Sequence, residues 1–232
     1  MAGFPVKLLV AACGLGALVY AILPPSVRAD APARALPSPV VDVAPSGSGL
    51  QTAVFAGGCF WGVQGVFEHV NGVTRAASGY AGGSVTSPGY EQVSSGRTGH
   101  AESVSVTFDP SQVSYGTLLR IFFSVALDPT EVNRQGPDTG TQYRSELFVV
   151  GSEQELVARA YVAQLEAAHA FSRPIATRIS VAGAFYPAEA YHQDYLLHHP
   201  DSAYIAMFDL PKVRRLEVLF PGNWRGTAVT VR

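Results

Sequence analysis

The alternation of apolar and polar residues along the chain predicts a sheet of several short strands. Residues 102–108 alternate most regularly, with Val104, Val106 and Phe108 on one side and serine or threonine on the other. This period of two is typical of a half-buried strand. Shorter apolar runs bounded by glycine or polar residues predict further strands at 52–56, 73–80, 146–150 and 175–181.

Between these strands, apolar residues recur with the period of a helix. Residues 59–69 place apolar side chains at helical spacing, which predicts an amphipathic helix that follows the first strand. Two further helices begin at serine residues, Ser114 as an N-cap and Ser152 in a capping box with Glu155. The predicted helices after the first are 114–126, 152–169, 187–198 (with proline in its first turn) and 209–220.

Long segments without any apolar period separate some of these elements. Residues 81–89 are rich in glycine and serine, and residues 128–143 are mostly polar. No repeat of 20–50 residues is present, so the chain is not a solenoid or a propeller. The mixture of helices, strands and irregular loops predicts an α/β or α+β domain around one sheet.

The N-terminal residues have the pattern of an export leader. Lys7 precedes an uninterrupted 16-residue run of apolar and small residues at 8–23, which is short for a membrane span of about 20 residues. Proline then ends the run, and small residues at 29 and 31 fit a cleavage site. We therefore expect residues 1–31 to be a signal peptide or, if uncleaved, a membrane anchor. The sequence Val10-Ala11-Ala12-Cys13 leaves a lipoprotein box as a third interpretation.

The residues after the leader predict a linker and then one folded domain. Residues 32–50 contain several prolines and glycines and no apolar period, which is typical of a linker. The folded domain is therefore expected to occupy residues 51–232.

Composition and charge exclude several classes of protein. Hydrophobic residues make up 47% of the chain and charged residues 15%, so the chain is not intrinsically disordered. A single apolar run near spanning length excludes a polytopic membrane protein. The net charge of −2 gives no electrostatic support for nucleic-acid binding. Two cysteines, Cys13 and Cys59, cannot build a disulfide framework or an all-cysteine zinc site.

Cys59 has the most distinctive setting for chemistry. It follows Gly57-Gly58 directly after a predicted strand and begins a predicted helix. The free N–H groups and partial positive charge of a helix N-terminus favour the thiolate, so we expect a pKa below that of an ordinary thiol. Phe60 and Trp61 could wall a pocket for a small apolar group on sulfur. The alternative is an unreactive cysteine buried among core aromatics.

Here the residues resemble a known family. The pentapeptide Gly58-Cys59-Phe60-Trp61-Gly62 is the motif of the A-type peptide methionine sulfoxide reductases. Further stretches match this family in the same order, and the resemblance covers about residues 54–220. These stretches are GYAGG at 79–83, PGY at 88–90, GRTGHAE at 96–102, DPT at 128–130, NRQG at 133–136, GTQYRS at 140–145, AE at 188–189 and YHQ at 191–193.

The resemblance implies a fold and a reaction. The expected fold is α+β, a two-layer α/β sandwich around a central mixed sheet with long irregular loops. The expected reaction is thiol-dependent reduction of methionine S-sulfoxide, free or in proteins, to methionine, which repairs oxidised proteins. Cys59 would attack the sulfoxide sulfur and become a sulfenic acid, and Phe60 and Trp61 would hold the methyl group of the substrate.

The resemblance also assigns the acidic and phenolic groups of the site. Glu102 matches the acid that protonates the sulfoxide oxygen, which requires a carboxyl whose pKa is raised by burial. Tyr90 and Tyr143 match two phenols that hydrogen-bond this oxygen. Asp138 matches an acidic residue that orients the site or a water molecule. Without the resemblance, Glu102 would be interpreted as a solvated strand-edge residue and the tyrosines as loop anchors.

Two departures from the family bear on the mechanism. Leu127 stands where the family usually has histidine before Asp128-Pro129-Thr130, and no cysteine follows Cys59. An external thiol, such as a thioredoxin-like protein or dithiothreitol, would therefore resolve the sulfenic acid through a mixed disulfide. No bound cofactor, metal or nucleic acid is expected. The leader implies a periplasmic or other extracytoplasmic location, with membrane contact only through a retained anchor at 8–23. We expect a monomer.

Two other functions remain open at this point. A non-enzymatic redox sensor or a module that binds oxidised methionine would keep Cys59 and the aromatic residues, but it would not need Glu102 together with both phenols. A thiol hydrolase or acyltransferase would need a histidine base, His100 or His192, beside Cys59.

Overall fold

The computed structural model describes residues 35–42 and 49–231, and within them the strands form a six-stranded sheet and a separate two-stranded hairpin. The strands are β1 (Gln51–Gly57), β2 (Val73–Ala81), β3 (Ala101–Phe108), β4 (Arg134–Gln135), β5 (Asp138–Thr139), β6 (Ser145–Val149), β7 (Arg178–Val181) and β8 (Phe185–Pro187). β4 and β5 pair with each other. The large sheet has the order β7-β6-β1-β3-β2-β8. Its pairs are antiparallel except β6 with β7, which are parallel.

Six α-helices accompany the sheet in the described part of the chain. They are α1 (Phe60–Glu68), α2 (Tyr90–Ser94), α3 (Tyr115–Ile121), α4 (Ser152–Ala167), α5 (Tyr195–His198) and α6 (Leu210–Leu219). A π-helical turn, Phe122–Ala126, extends α3, and another, Ile205–Asp209, leads into α6. Single 3₁₀ turns lie at Thr141–Tyr143 and Ala190–His192.

The core lies between the sheet and the longer helices because β1 alternates between two faces. Phe55 of β1 belongs to the large core cluster, whereas Val54 belongs to a small cluster on the other face. The Phe55 ring lies 4.7 Å from that of Phe67 in α1 and 5.1 Å from that of Phe122. Full burial of such a side chain stabilises the fold by about 2 kcal/mol. The expected α+β fold around a mixed sheet is thus confirmed.

Most of the predicted elements are present, and a polar signal explains one of two predicted helix starts. The strands at 52–56, 73–80, 102–108 and 146–150 correspond to β1, β2, β3 and β6. Ser114 caps α3 as predicted, since its Oγ accepts a hydrogen bond from the N–H of Thr117. The capping box at Ser152 is wrong: Gly151 is the N-cap of α4, without a side-chain hydrogen bond.

The predicted helix at 187–198 is also wrong. This segment contains the end of β8, a 3₁₀ turn and the single turn of α5. Asp194 interrupts it in the left-handed conformation, with φ of +55°. Gln193 reaches across to β2, where its amide exchanges hydrogen bonds with the backbone of Ser78. These tertiary hydrogen bonds replace those that a continuous helix would make.

Part of the segment predicted as a linker packs against the domain. Leu36 is buried, and its N–H donates to Ser124 Oγ at 3.1 Å. Farther along the segment, the carbonyl of Pro37 accepts from the hydroxyl of Tyr161 in α4 at 2.9 Å. Over 35–42 the segment is therefore held along α3 and α4 by Leu36 and by hydrogen bonds, while half of its residues stay exposed.

The predicted leader and Cys13 fall within residues 1–34, outside the described residues. Within 35–42 and 49–231, no helix is long and apolar enough to cross a membrane.

Candidate active site

Cys59 lies where β1 passes into α1, and a glycine makes this turn possible. Gly58 has φ of +88°, in the left-handed region that side chains rarely adopt. A Cβ on Gly58 would also lie 2.5 Å from the Cβ of Gln135. Cys59 is the N-cap residue of α1 and is only 8% exposed. The strand–Gly-Gly–Cys–helix arrangement read from the sequence is therefore present.

The electrostatic setting of Cys59 differs from the expectation. Burial raises the pKa of the Cys59 thiol well above its ordinary value, and the nearby carboxyl groups of Glu102 and Asp209 raise it further. The N–H of Trp61 and the charge of Lys212 act in the opposite direction. The predicted low pKa is wrong for the free enzyme, because desolvation outweighs the helix N-terminus. The resting group is a thiol.

Glu102 is a buried acid directly beside this thiol. It is 3% exposed near the start of β3, and its Oε2 accepts a hydrogen bond from the N–H of Phe60 at 3.0 Å. Burial raises the pKa of Glu102 to about 8, with further contributions from Asp138 and Asp209, while the Phe60 N–H lowers it. Near neutral pH the carboxyl is therefore mostly protonated and able to donate a proton.

Two phenols face the same acid. Burial and the proximity of Glu102 raise the pKa of both Tyr90 and Tyr143, and Cys59 contributes to both. Tyr90 begins α2, where its N–H donates to Glu189 Oε1 at 2.8 Å. Tyr143 ends a 3₁₀ turn whose Thr141 carbonyl accepts from Arg144. Both phenols therefore keep their O–H groups near neutral pH and can donate hydrogen bonds.

Asp138 joins this cluster from the β4–β5 hairpin. Burial raises its pKa, and the charge of Asp138 in turn raises the pKa values of Glu102 and Tyr143. Its Oδ2 accepts a short hydrogen bond from the hydroxyl of Tyr204. The hairpin is thereby connected to the π-helical turn that precedes α6.

Phe60 and Trp61 form an aromatic wall beside Cys59. Phe60 is buried, with its ring 5.0 Å from that of His192. Trp61 stacks on Tyr195 at 3.9 Å and meets Tyr204 edge to face. Its Nε1 donates to Nδ1 of His192 at 3.1 Å, which fixes the indole. All seven site residues predicted from the sequence thus come together, although they belong to α1, α2, β3, β5 and a 3₁₀ turn.

Several residues of this region were not predicted from the sequence. In the sequence, Asp209 and Lys212 look like ordinary polar residues at the start of a helix with proline in its first turn. In the structure, Asp209 is completely buried and accepts a hydrogen bond from Lys212. Glu189 accepts hydrogen bonds from Tyr80 and Tyr90. The AE and YHQ motifs were the available signals for Glu189 and His192. Nothing local marked Tyr204.

The two histidines considered as bases make contacts other than with Cys59. His100 bonds to the N–H of Gly83 and the carbonyl of Val85. His192 accepts from Trp61, and burial lowers its pKa. Within the described ranges, no group of three or more metal-ligating side chains is present. A buried thiol with an acid, two phenols and an aromatic wall defines a thiol enzyme that acts on a small polar group next to an apolar one.

Comparison with known proteins identifies the family. The family described as "Peptide methionine sulfoxide reductase" matches residues 51–220. Peptide methionine sulfoxide reductase MsrA 2 of Mesorhizobium japonicum is 54% identical over 183 residues, covering 79% of this chain and 94% of that protein. The protein of the same name from Synechocystis sp. is 51% identical over 185 residues, covering 78% and 86%. The chain therefore belongs to the peptide methionine sulfoxide reductase family.

Solved structures agree with this assignment. Methionine sulfoxide reductase A of Corynebacterium diphtheriae has 35% identity and a TM-score of 0.56, over 67% of this chain and 77% of that one. Mxr1 of Saccharomyces cerevisiae in its reduced form has 31% identity and a TM-score of 0.59, over 72% and 95%. The chain is thus an A-type methionine sulfoxide reductase, and the sensor and hydrolase alternatives are not supported.

The two departures from the family can now be located. Leu127 is buried in the large core cluster, so an apolar side chain occupies the usual histidine position. Cys59 is the one cysteine of the described residues, and it is unpaired.

Proposed function

We propose that the chain reduces methionine S-sulfoxide with Cys59 as nucleophile and Glu102 as proton donor. The observation that carries the proposal is the buried Glu102 carboxyl, with a pKa near 8, beside the Cys59 thiol and two phenols. A protonated acid is what the departing sulfoxide oxygen needs. Tyr90 and Tyr143 donate hydrogen bonds to this oxygen as its negative charge develops.

The reaction balances without a further reactant. Cys59 sulfur bonds to the sulfoxide sulfur as the S–O bond weakens, and the oxygen takes the proton of Glu102. The proton of the thiol returns to the Glu102 carboxylate. The hydroxyl then leaves the substrate sulfur with the S–O electron pair and bonds to Cys59 sulfur, while the sulfur–sulfur bond breaks and its electron pair stays on the substrate sulfur. The products are the thioether of methionine and a Cys59 sulfenic acid, so sulfur of the substrate is reduced and sulfur of the enzyme is oxidised.

Phe60 and Trp61 supply the specificity in this proposal. They directly follow Cys59 in the chain, both rings contact His192, and the hydrogen bond to His192 fixes the indole. The methyl group of the substrate packs against these rings, while its oxygen faces the phenols and Glu102. This division between an apolar side and a donor side of the site selects one epimer of the sulfoxide.

Regeneration in this proposal needs a thiol from outside the domain. The only other cysteine of the sequence, Cys13, belongs to the predicted leader. A first thiol condenses with the sulfenic acid and releases water, and a second thiol cleaves the mixed disulfide and restores Cys59. An extracytoplasmic thioredoxin-like dithiol fits both steps. We further propose that residues 1–31 direct export and that oxidised proteins are substrates.

Turnover of the two separate epimers of a methionine sulfoxide peptide, with dithiothreitol as reductant, tests the function. We expect reduction of the S epimer alone. Reduction of both epimers at equal rates, or of neither, would contradict the proposal.

A further inference from the structure

An ion pair from the C-terminal helix lies directly under the first turn of α1. Asp209 is completely buried, and its Oδ1 accepts a hydrogen bond from Lys212 Nζ at 3.0 Å. A Cβ built on Gly62 would lie 2.1 Å from this Oδ1 and 2.9 Å from Nζ. The pair thus occupies the space that a side chain at position 62 would take, three residues after Cys59.

Burial raises the pKa of Asp209, whereas the charge and the hydrogen bond of Lys212 lower it and favour the carboxylate. Its second oxygen, Oδ2, has no hydrogen-bond partner among the described residues. Lys212 retains some solvent contact, with 19% of its side chain exposed. Loss of the carboxylate would therefore leave a cation beside the site, whereas loss of the whole pair would leave no charge there.

Carboxyl groups and phenols from several elements act on Cys59 and Glu102. Among the described groups, Lys212 is the one cation whose charge lowers the pKa of Cys59, whereas Asp209 raises the pKa of both Cys59 and Glu102. The titratable and charged groups that face Cys59 or Glu102 are Tyr80 of β2, Tyr90 of α2, Asp138 of β5, Tyr143 of the 3₁₀ turn, Tyr204 and Asp209 of the π-helical turn, and Lys212 of α6.

We propose that Asp209 and Lys212 act as a positioning pair that keeps the proton on Glu102 while Cys59 reacts. A lone cation at this place would favour the Cys59 thiolate, and it would also favour loss of the proton from Glu102. Asp209 cancels the field of Lys212 at the carboxyl, so the nucleophile and the proton donor coexist at neutral pH. This inference rests on the proposed function, and it extends the site to the C-terminal helix.

The roles of the two residues can be separated by removing one charge or both. In Asp209→Asn the cation is uncompensated, so the midpoint for alkylation of Cys59 by iodoacetamide should move down by about one pH unit. The alkaline limb of kcat/KM should move down with it, and kcat at pH 7.5 should fall more than KM rises. In the double variant Asp209→Asn/Lys212→Met no net charge is introduced, and both midpoints should return to within about half a unit of wild type.

Glu68→Gln is the matched control, because Glu68 is an equally buried carboxyl whose neighbour is Asp194 rather than the site. It should leave both midpoints in place. Midpoints that stay unchanged in Asp209→Asn would overturn the inference. Midpoints that stay lowered in the double variant would also overturn it, because removal of a second residue cancels an electrostatic effect but does not repair a structural defect.

If Asp209→Asn does not fold, the single variant Lys212→Met tests the inference instead. Removal of the cation should leave the alkylation midpoint in place or raise it, and a fall of half a unit would overturn the assignment. Alkylation requires no turnover, so it is independent of the proposed function. If wild type reduces the sulfoxide but Asp209→Asn keeps its midpoints, only this inference fails. If the midpoints shift and wild type does not reduce the sulfoxide, only the proposed function fails.

Discussion

At the scale of single residues, burial determines the chemistry of this site more than local sequence does. The position of Cys59 at the start of α1 favours a thiolate, yet desolvation and two carboxyls raise the pKa of the thiol. The same burial raises the pKa of Glu102 to about 8. A neutral thiol beside a neutral acid avoids two adjacent buried negative charges, and the substrate must then trigger the transfer of protons.

Replacement of Cys59 by serine tests the nucleophile. Cys59→Ser should lower the rate of reduction by more than about a hundredfold, because a hydroxyl has almost no anionic form near neutral pH. The thermal unfolding midpoint should change little, since the substitution is nearly isosteric. Turnover within tenfold of wild type, measured with dithiothreitol, would show that another group attacks the sulfoxide.

Replacement of Glu102 by glutamine separates proton donation from binding. The rate of wild type should fall as the pH rises through about 8, where the raised pKa of Glu102 lets the carboxyl lose its proton. Glu102→Gln should lower kcat by about a hundredfold or more and remove this alkaline limb, while KM changes little. An effect mainly on KM would mean that Glu102 binds the substrate and does not protonate it.

At the scale of elements, the polar signals for helix ends succeed where the bonding partner is local. Ser114 caps α3 because its target, the N–H of Thr117, is three residues away. Residues 187–198 do not form the predicted helix, because Gln193 bonds to β2 across the fold. Such distant partners leave no trace in the spacing of apolar residues.

Two serine-to-alanine variants test this difference. Ser114→Ala should lower the free energy of unfolding by about 1 kcal/mol or somewhat more, since the hydroxyl also bonds to Asp42. Ser152→Ala is the matched control, because α4 has no side-chain cap, and it should change this free energy by less than about 0.5 kcal/mol. Urea unfolding monitored by circular dichroism measures both. Equal losses in the two variants would contradict the capping assignment.

At the scale of the whole molecule, regeneration follows from the number of thiols. One equivalent of sulfoxide without reductant should yield one methionine per enzyme and a Cys59 about 16 Da heavier, as a sulfenic acid requires. Multiple turnover should need an added thiol. Mass spectrometry of the enzyme after one turnover decides this. A disulfide between Cys13 and Cys59 would instead show that the leader is retained and supplies the resolving thiol.

The buried carboxyls also predict how the stability of the whole domain depends on pH. Burial, together with nearby carboxyls, raises the pKa of Glu68 to about 9 and that of Glu102 to about 8. Between pH 7 and 8 the native state keeps protons that the unfolded chain has released, so the free energy of unfolding should fall as the pH rises.

Glu68→Gln checks this dependence in a series of urea titrations. It should remove up to about 1.4 kcal/mol per pH unit of the slope, because the amide does not titrate. A wild-type stability that rises from pH 7 to 8, or a slope unchanged by Glu68→Gln, would contradict the assignment.

The sequence by itself determined the order of the main strands and helices, because apolar periodicity records which face of each element is buried. It also determined the family, and the short motifs around Cys59, Glu102 and the tyrosines named seven candidate site residues. The domain boundaries, the leader and the roles of these residues stay predictions.

Only the tertiary structure decided what surrounds these groups. The ion pair of Asp209 and Lys212 reaches the site from a segment more than 140 residues after Cys59. Tyr204 of the same segment bonds to Asp138 and so connects this segment to the β4–β5 hairpin. The pKa of Cys59 is set by charges and burial that three separate segments bring together. Electrostatic fields depend on distance in space and on exclusion of water, and neither quantity is recorded in the order of residues along the chain.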